Sequence, residues 1–304
     1  MHRSKCPACG SNHSVKNGTR KGIQLYKCAD CGYQFRNNNL HDDLKLWSLY
    51  QDRKQTVAEL ATQFHCSEST IKRRLRNISI EWVQPEISGE GFVHLDATYW
   101  GHNWGIILAL DSLTGNVLYL EFIQNETNAD YEAAVSSIEK RGYKIKGIVI
   151  DGRQSLFSLL SNYNIQMCQF HMKQIIKRYL TQNPRFKAAR ELRDLVDELA
   201  IMTKSDFEQR FCQWKENWKE MLNKRSILKS GKTRFTHRRL RGAMHSIEFY
   251  LPYLFTYELA ECEGMPNTNN KIEGRFTDLK KNLNNHSGMN EENRKRFISG
   301  FFLA

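Results

Sequence analysis

The feature that most constrains the fold of this chain is the order of short apolar runs between residues 92 and 171. Turn residues at 111–116 separate the second run from the third, and helical periodicity fills the gaps that follow. The order is therefore β-β-β-α-β-α-β, with three antiparallel strands followed by crossover units, which predicts an α/β domain. The predicted strands are 92–98, 104–110, 117–122, 145–150 and 165–170, the last one ending at His171.

Two aspartates directly follow apolar runs of this domain. Asp96 ends the run 92–95, and Asp151 ends the run 147–150. This order of elements resembles that of a ribonuclease H-like domain, and the resemblance implies that the first and fourth strands lie side by side, so we expect their carboxyl ends to bring the two aspartates together. Asp111 is a rival for the first acid, but its Asp-Ser-Leu-Thr-Gly setting is explained by a hairpin turn.

A third acid, Glu273, lies in the first turns of a helix that is predicted to open after Pro266. A helix laid against the sheet would place Glu273 beside Asp96 and Asp151. The alternative is an ordinary N-terminal helix carboxylate that the helix dipole stabilises. Carboxylates at one point repel each other unless a cation offsets them, and hard oxygen ligands favour Mg²⁺ or Mn²⁺. The sequence therefore predicts a metal site made of these three acids.

Residues 1–39 contain two Cys-x-x-Cys pairs with 18 residues between them. Four thiolates at this spacing can close a tetrahedron around Zn²⁺, so we predict a zinc ribbon whose folding depends on the metal. Redox pairs are the alternative, but a thioredoxin-type site uses one pair beside a βαβ unit. The basic surface of the segment suggests DNA contact, although some zinc ribbons bind only protein. The predicted ligands are Cys6, Cys9, Cys28 and Cys31.

Residues 40–80 have the pattern of a helix-turn-helix. Thr56 followed by Glu59 matches a capping box, and Ser67 fits the N-cap of the next helix. That second helix would enter the major groove of DNA. The alternative is an ordinary helical hairpin with a solvated basic face. The residues expected to face bases or phosphates are Ser69, Thr70, Lys72, Arg73 and Arg74.

The charge balance indicates a polyanionic partner, because 45 Lys and Arg residues stand against 33 Asp and Glu residues, a net charge of +12. After a linker at 81–91 and the strand-rich segment, residues 172–262 turn helical and predict an insertion into the α/β domain. Its stretch 223–241 has eight basic residues and no acid, which favours phosphate contact. Within that stretch we assign DNA contact to Arg234, Arg238 and Arg239.

Membrane attachment and export are not expected. No apolar run approaches the roughly 20 residues that span a bilayer, and the N-terminus lacks the apolar core of a signal peptide. A disulfide framework would need an oxidising compartment, which nothing else in the sequence supports. The sequence therefore predicts a cytoplasmic protein.

The element order resembles that of a ribonuclease H-like domain, here formed by residues 92–171 and 263–304. With the zinc ribbon, the helix-turn-helix and the distant Glu273, nearly the whole chain resembles bacterial insertion-sequence DDE transposases related to mutator-like elements. The resemblance implies that the three acids bind the catalytic metals and that Cys168 and His171 support the site. Its most specific segments are His-Leu-Asp-Ala-Thr at 94–98, Val-Ile-Asp-Gly at 149–152, Cys-Gln-Phe-His at 168–171 and Thr-Asn-Asn-Lys-Ile-Glu-Gly at 268–274.

The same resemblance implies binding to the terminal inverted repeats of the element, donor strand cleavage and strand transfer into double-stranded target DNA. It also implies a homodimer or larger assembly on DNA, located with the bacterial nucleoid. Two alternatives stay open, an inactive DNA-binding regulator derived from a transposase and a nuclease or Holliday-junction resolvase. Without the resemblance, Cys168 and His171 could equally be a buried thiol and a core histidine, or could bind zinc with other partners.

Overall fold

The computed structural model describes residues 6, 8–20, 23–36, 43–51, 53–78, 80, 82–101, 104–286 and 288–303. The chain divides into two compact units. The first consists of residues 1–80 with 285–289, and the second of residues 81–284 with 290–304.

The first unit begins with an antiparallel sheet in the order β1-β2-β3 and continues with three helices. The N-terminal caps predicted for the second and third helices are both present. Thr56 and Glu59 form the reciprocal capping box, and the Ser67 side chain accepts a hydrogen bond from the Thr70 amide. The elements are β1 Ser14–Arg20, β2 Ile23–Cys28, β3 Gln34–Arg36, α1 Asp43–Gln51, α2 Val57–Gln63 and α3 Glu68–Asn77.

The second unit is built on a five-stranded sheet in the order β6-β5-β4-β7-β8. Strands β4, β5 and β6 pair antiparallel, whereas β4 with β7 and β7 with β8 pair parallel. The predicted α/β class is therefore confirmed, with a mixed sheet. The strands are β4 Gly89–Trp100, β5 Trp104–Asp111, β6 Val117–Ile123, β7 Tyr143–Ile150 and β8 Asn164–Met167, and helices α4 Asn128–Lys140 and α5 Gln154–Leu159 connect the parallel ones.

The helical insertion shares one hydrophobic core with the sheet. Phe207, Phe211 and Trp214, at helical spacing on one helix, are buried in it. The partly buried Trp218 packs against it, so this aromatic row is core rather than an exposed stacking surface. None of the helices that the structure describes combines the length and apolar character needed to cross a membrane. The remaining elements are α6 Gln169–Leu180, α7 Lys187–Asp197, α8 Lys204–Asn217, α9 Lys219–Asn223, β9 Arg225–Ile227, β10 Thr233–Phe235, α10 Arg238–Tyr250, α11 Asn270–Asn285 and α12 Glu291–Leu303, with 3₁₀ turns at Leu199–Ile201, Leu251–Tyr253, Thr256–Glu258 and Ala260–Cys262.

The last predicted strand is shorter than expected. We predicted a strand over 165–170, but β8 ends at Met167 and α6 begins at Gln169. The Cys168 amide makes the final bond to the neighbouring strand, at Ile150 O, and the Gln169 amide then donates to Asn267 O. The apolar character of Phe170 suggested a strand, yet the buried residues that follow it recur at helical spacing, so His171 lies in a helix.

The first strand of the sheet is longer than expected at both ends. Part of the predicted linker, 89–91, belongs to β4 because it pairs with the start of β7. Gly91 is needed there, since an added Cβ would lie 2.5 Å from the Tyr143 hydroxyl oxygen. Beyond Asp96, β4 continues to Trp100 because β5 still pairs with it. Asp96 therefore lies inside a strand, at the level where the neighbouring strand β7 ends.

Candidate functional site

Four cysteine sulfurs converge in the first unit. The sulfurs of Cys6 and Cys31 are 3.7 Å apart, those of Cys9 and Cys28 are 3.6 Å apart, and all four lie within 4.8 Å of one another. Sulfurs around a tetrahedral zinc ion are about 3.8 Å apart, so the cluster can hold zinc. A hydrogen bond from the Cys31 backbone lowers the pKa of Cys28 to about 7. This shift favours the thiolate that a metal binds. The pKa of Cys9 shifts the other way: the Ser11 backbone hydrogen bond lowers it, but burial and the neighbouring thiols raise it to about 12.

Strand pairing places Asp96 and Asp151 at the same level of the sheet. The parallel strands β4 and β7 pair His94 with Val149, and each aspartate is two residues further along its chain. Side chains alternate between the two faces of a sheet, so Asp96 lies on the same face as His94. Neighbouring strands are about 4.8 Å apart. Asp96 within β4 and Asp151 just after β7 therefore occupy matching positions on adjacent strands.

The charges around Asp96 act strongly on its carboxyl group. Its pKa is raised well above the usual range, first because the surrounding protein displaces water from the carboxylate, and second because Asp151 is negatively charged. The Ala97 amide, which donates to Asp96 Oδ1 at 2.8 Å, acts in the opposite direction, and the charge of Glu273 again raises the pKa. The negative charges of Asp151 and Glu273 therefore both act on Asp96, and a cation beside Asp96 would relieve this repulsion.

Glu273 also lies against Cys168 and His171. One ligand atom of each residue is within 4.8 Å of the other two, and His171 Nδ1 is 3.6 Å from Glu273 Oε1. Within the described part of the chain, the oxygens of Asp96, Asp151 and Glu273 do not all come that close to one another. Burial raises the pKa of the Cys168 thiol to about 11, so this sulfur is a neutral thiol at neutral pH in the absence of a metal.

A buried polar network links the strand of Asp96 to the helix of Glu273. Asn269 is fully buried, and its side-chain Oδ1 lies 2.8 Å from His94 Nδ1. Its backbone N–H donates to the Cys168 sulfur at 3.1 Å. The Asn269 carbonyl accepts the Glu273 amide at 3.1 Å, so Asn269 heads the helical turn that carries the third acid. Burial lowers the pKa of His94, which keeps its imidazole neutral. Neither Asn269 nor His94 was predicted from the sequence as a site residue.

We expect Asn269→Ala to lower the free energy of unfolding by about 1–3 kcal/mol, because it leaves the buried His94 imidazole without its partner. Asn270→Ala is the matched control, since the neighbouring Asn270 is exposed. Urea unfolding followed by circular dichroism measures both variants. Equal unfolding midpoints for the two variants would mean that Asn269 does not tie helix α11 to the sheet.

Glu126 is a further acid whose charge acts on Asp96, and it was not predicted from the sequence as a site residue. Glu126 Oε1 accepts a hydrogen bond from the Tyr131 hydroxyl at 2.8 Å and lies 2.9 Å from Arg153 Nη1. The charge of Glu126 contributes to the raised pKa of Asp96, so this group is within electrostatic reach of the site. A sequence signal for this pair was Arg153 itself, because a basic residue two positions after Asp151 is expected to need an acidic partner nearby. The guanidinium of Arg153 pairs with Glu126 and so offsets part of the negative charge near Asp96.

The predicted DNA-facing residues of α3 do not all face outward. Arg74 is engaged within the protein: its Nη2 lies 2.6 Å from Asp43 Oδ1 on α1 and its side chain is only 15% exposed, so it is less available to DNA than the other four. Helical spacing explains this placement, since Arg74 is three residues after the buried Ile71 and directly precedes the buried Leu75. The other four stay accessible: Ser69, Lys72 and Arg73 are exposed, and Thr70 is half-buried.

The arginines predicted to bind DNA in the insertion are exposed at the end of the β9–β10 hairpin and the start of α10. Arg239 donates to Arg178 O at 2.6 Å, so part of its hydrogen-bonding capacity is used within the protein. Ion pairs in the described part of the insertion use other cations, such as Lys215 with Glu248. The three arginines are Arg234, Arg238 and Arg239.

The fold and these sites define an α/β protein with a four-thiol cluster that could hold zinc in one unit and, in the other, a buried aspartate on which the charges of two further acids act. No model of a known protein family matches the sequence, and no curated protein matches it significantly.

Proposed function

We propose that this chain is a DNA transposase of the bacterial insertion-sequence type, with a ribonuclease H-like catalytic domain at 92–171 and 263–304. One observation carries the proposal: Asp96 within β4 and Asp151 just after the parallel neighbour β7 lie at the same level of the sheet, and the charges of Asp151 and Glu273 both act on Asp96. The strand order and the helical segment between the second and third acids support it further.

In this proposal the three acids hold Mg²⁺ or Mn²⁺, which fits their oxygen donors and their mutual repulsion. When bound, the ions would activate water or a 3′-hydroxyl and stabilise the leaving oxygen of a phosphodiester. The protein orients the carboxylates by backbone hydrogen bonds, from the Ala97 amide to Asp96 and from the Arg153 amide to Asp151 at 3.0 Å. The buried contact between His94 and Asn269 sets the position of the Glu273 helix relative to the sheet.

The other parts of the chain would deliver DNA to the acids. Residues 1–39, with zinc, and helices α2 and α3 would recognise the terminal inverted repeats, and the basic insertion would bind backbone phosphates. The net charge of +12 fits such a role. Donor and target duplexes must be held together for strand transfer, so we propose that the active form is a homodimer or larger assembly on DNA in the bacterial cytoplasm.

A strand-transfer assay tests the proposal. The zinc-loaded protein is incubated with Mg²⁺, a labelled duplex carrying the DNA that flanks the gene, and a supercoiled plasmid. We expect labelled ends joined to the plasmid, and no joining without Mg²⁺ or with a shuffled end. Cleavage without joining would indicate a nuclease or resolvase instead. Specific binding without cleavage would indicate a regulator.

A further inference from the structure

The helical part of the second unit contains a cavity whose lining does not include Asp96, Asp151 or Glu273. Its volume is ≈ 750 Å³, which is within the range of sites that take a small molecule or a nucleotide. The cavity lies where α6 ends and where α7 and α10 begin. Of the described residues that line it, none is acidic.

The lining of this cavity is strongly basic. The side chains of Arg185, Arg234 and Arg238 are exposed, so their guanidinium groups are available to a ligand. Arg239 also lines the cavity, although one of its nitrogens donates to the Arg178 carbonyl. Guanidinium groups bind phosphate oxygens through paired hydrogen bonds, so the lining favours a phosphate-bearing ligand.

Two helix starts add to this positive field. Phe186 and His237 occupy the N-cap positions of α7 and α10, both line the cavity, and neither side chain caps its helix. The first amides of each helix carry partial positive charge. Together with the arginines, they make the cavity wall favourable for an anion.

An aromatic ring stands beside the arginines. Phe186 is 56% exposed, and its ring centroid is 5.2 Å from that of His237, with the two rings nearly perpendicular. An exposed phenyl ring next to phosphate-binding groups is the pairing found where bases of unpaired strands stack on a protein. The cavity therefore offers complementary surfaces to both parts of a nucleotide.

We propose that this cavity binds an unpaired nucleotide of a DNA strand, with the base on Phe186 and the adjoining phosphates at Arg234 and Arg238. A base inside a duplex is stacked between its neighbours and cannot enter a pocket, so the site selects a nucleotide that has left the stack. The inference rests on the proposed function in taking DNA as the ligand, but not on the chemistry of the acids.

The test compares three fluorescent duplexes of one sequence by anisotropy, using the full-length zinc-loaded protein without added Mg²⁺ so that no strand is cut. One duplex is fully paired, one has an extrahelical adenosine, and one has an abasic residue at that position. We expect the adenosine probe to bind about tenfold more tightly than the abasic probe, because base–aromatic stacking is lost in the latter. Phe186→Ala should remove this difference, and Phe186→Trp should keep it.

Two controls separate the cavity from general effects. Ile201→Ala truncates another apolar side chain of the same unit, 84% exposed and outside the cavity, and should leave the difference intact. Lys229→Ala removes one charge from the same basic stretch outside the lining, and should weaken binding less than Arg238→Ala.

Equal affinity for the adenosine and abasic probes, or equal effects of Phe186→Ala and Ile201→Ala, would overturn the proposal. If free dAMP displaced the adenosine probe as effectively as an unlabelled DNA strand does, the proposal would also be overturned, and the cavity would be assigned to a free nucleotide. Because no cleavage is measured, failure of the strand-transfer assay would leave this result unchanged.

Discussion

Asp96→Asn and Asp151→Asn are each expected to abolish metal-dependent DNA cleavage while leaving duplex binding largely intact. An amide keeps the shape of the carboxylate but not its charge, so the site loses affinity for the divalent ion that would stabilise the transition state. That contribution is worth several kcal/mol, which corresponds to a loss of roughly 10³-fold or more in rate. Single-turnover cleavage of a labelled end and a filter-binding measurement on the same DNA separate the two effects.

The matched control is Glu121→Gln, which neutralises an exposed carboxylate on β6, two strands from β4 and on the opposite face of the sheet from Asp96. It should cleave like the unaltered protein. A second readout is thermal: without divalent metal, Asp96→Asn should raise the melting temperature, because it removes a carboxyl group repelled by Asp151 and Glu273. Mg²⁺ should stabilise the unaltered protein more than the variant. Retained cleavage in Asp151→Asn would remove Asp151 from the site.

Loss of zinc is expected to have the largest effect on the fold of the N-terminal segment. Among the described residues of the N-terminal segment, the buried apolar cluster consists of Cys6, Cys28 and Phe35, which is too small a core to fold without a ligand. Structural zinc contributes on the order of 10 kcal/mol in comparable small domains. Cys28→Ser should therefore lower the zinc content by one ion per chain, unfold residues 1–39 and weaken recognition of the DNA ends. Elemental analysis, limited proteolysis and binding to end DNA measure these three effects.

Cys212→Ser is the control for this experiment, because Cys212 is an exposed cysteine outside the four-sulfur cluster. It should leave zinc content and end binding unchanged. Mg²⁺-dependent cleavage should survive the Cys28 substitution in reduced amount, since the acids belong to the other unit. End affinity that is unchanged after zinc removal would rule out a role for the ribbon in recognising DNA.

Features encoded by neighbouring residues were predictable. The four-cysteine cluster that could hold zinc was predictable because each Cys-x-x-Cys pair places two sulfurs on one tight turn. The caps at Thr56 and Ser67 were found because a cap and the amide it binds are three residues apart. The strands of the sheet were found because their apolar runs are long, although their ends were misjudged where pairing with another strand decides the length.

Local sequence by itself determined where the strands of the sheet and the capped helices lie, but not where every strand ends, and it determined the α/β class and the identity of the thiol and carboxylate candidates. Tertiary structure decided the register that sets Asp96 level with Asp151, the contact of Glu273 with Cys168 and His171, and the inward turn of Arg74. It also produced the contact between His94 and Asn269, which are 175 residues apart in the chain. The physical reason is that periodicity reports which face of a segment is buried. Which distant side chain meets that face depends on how the separate segments pack.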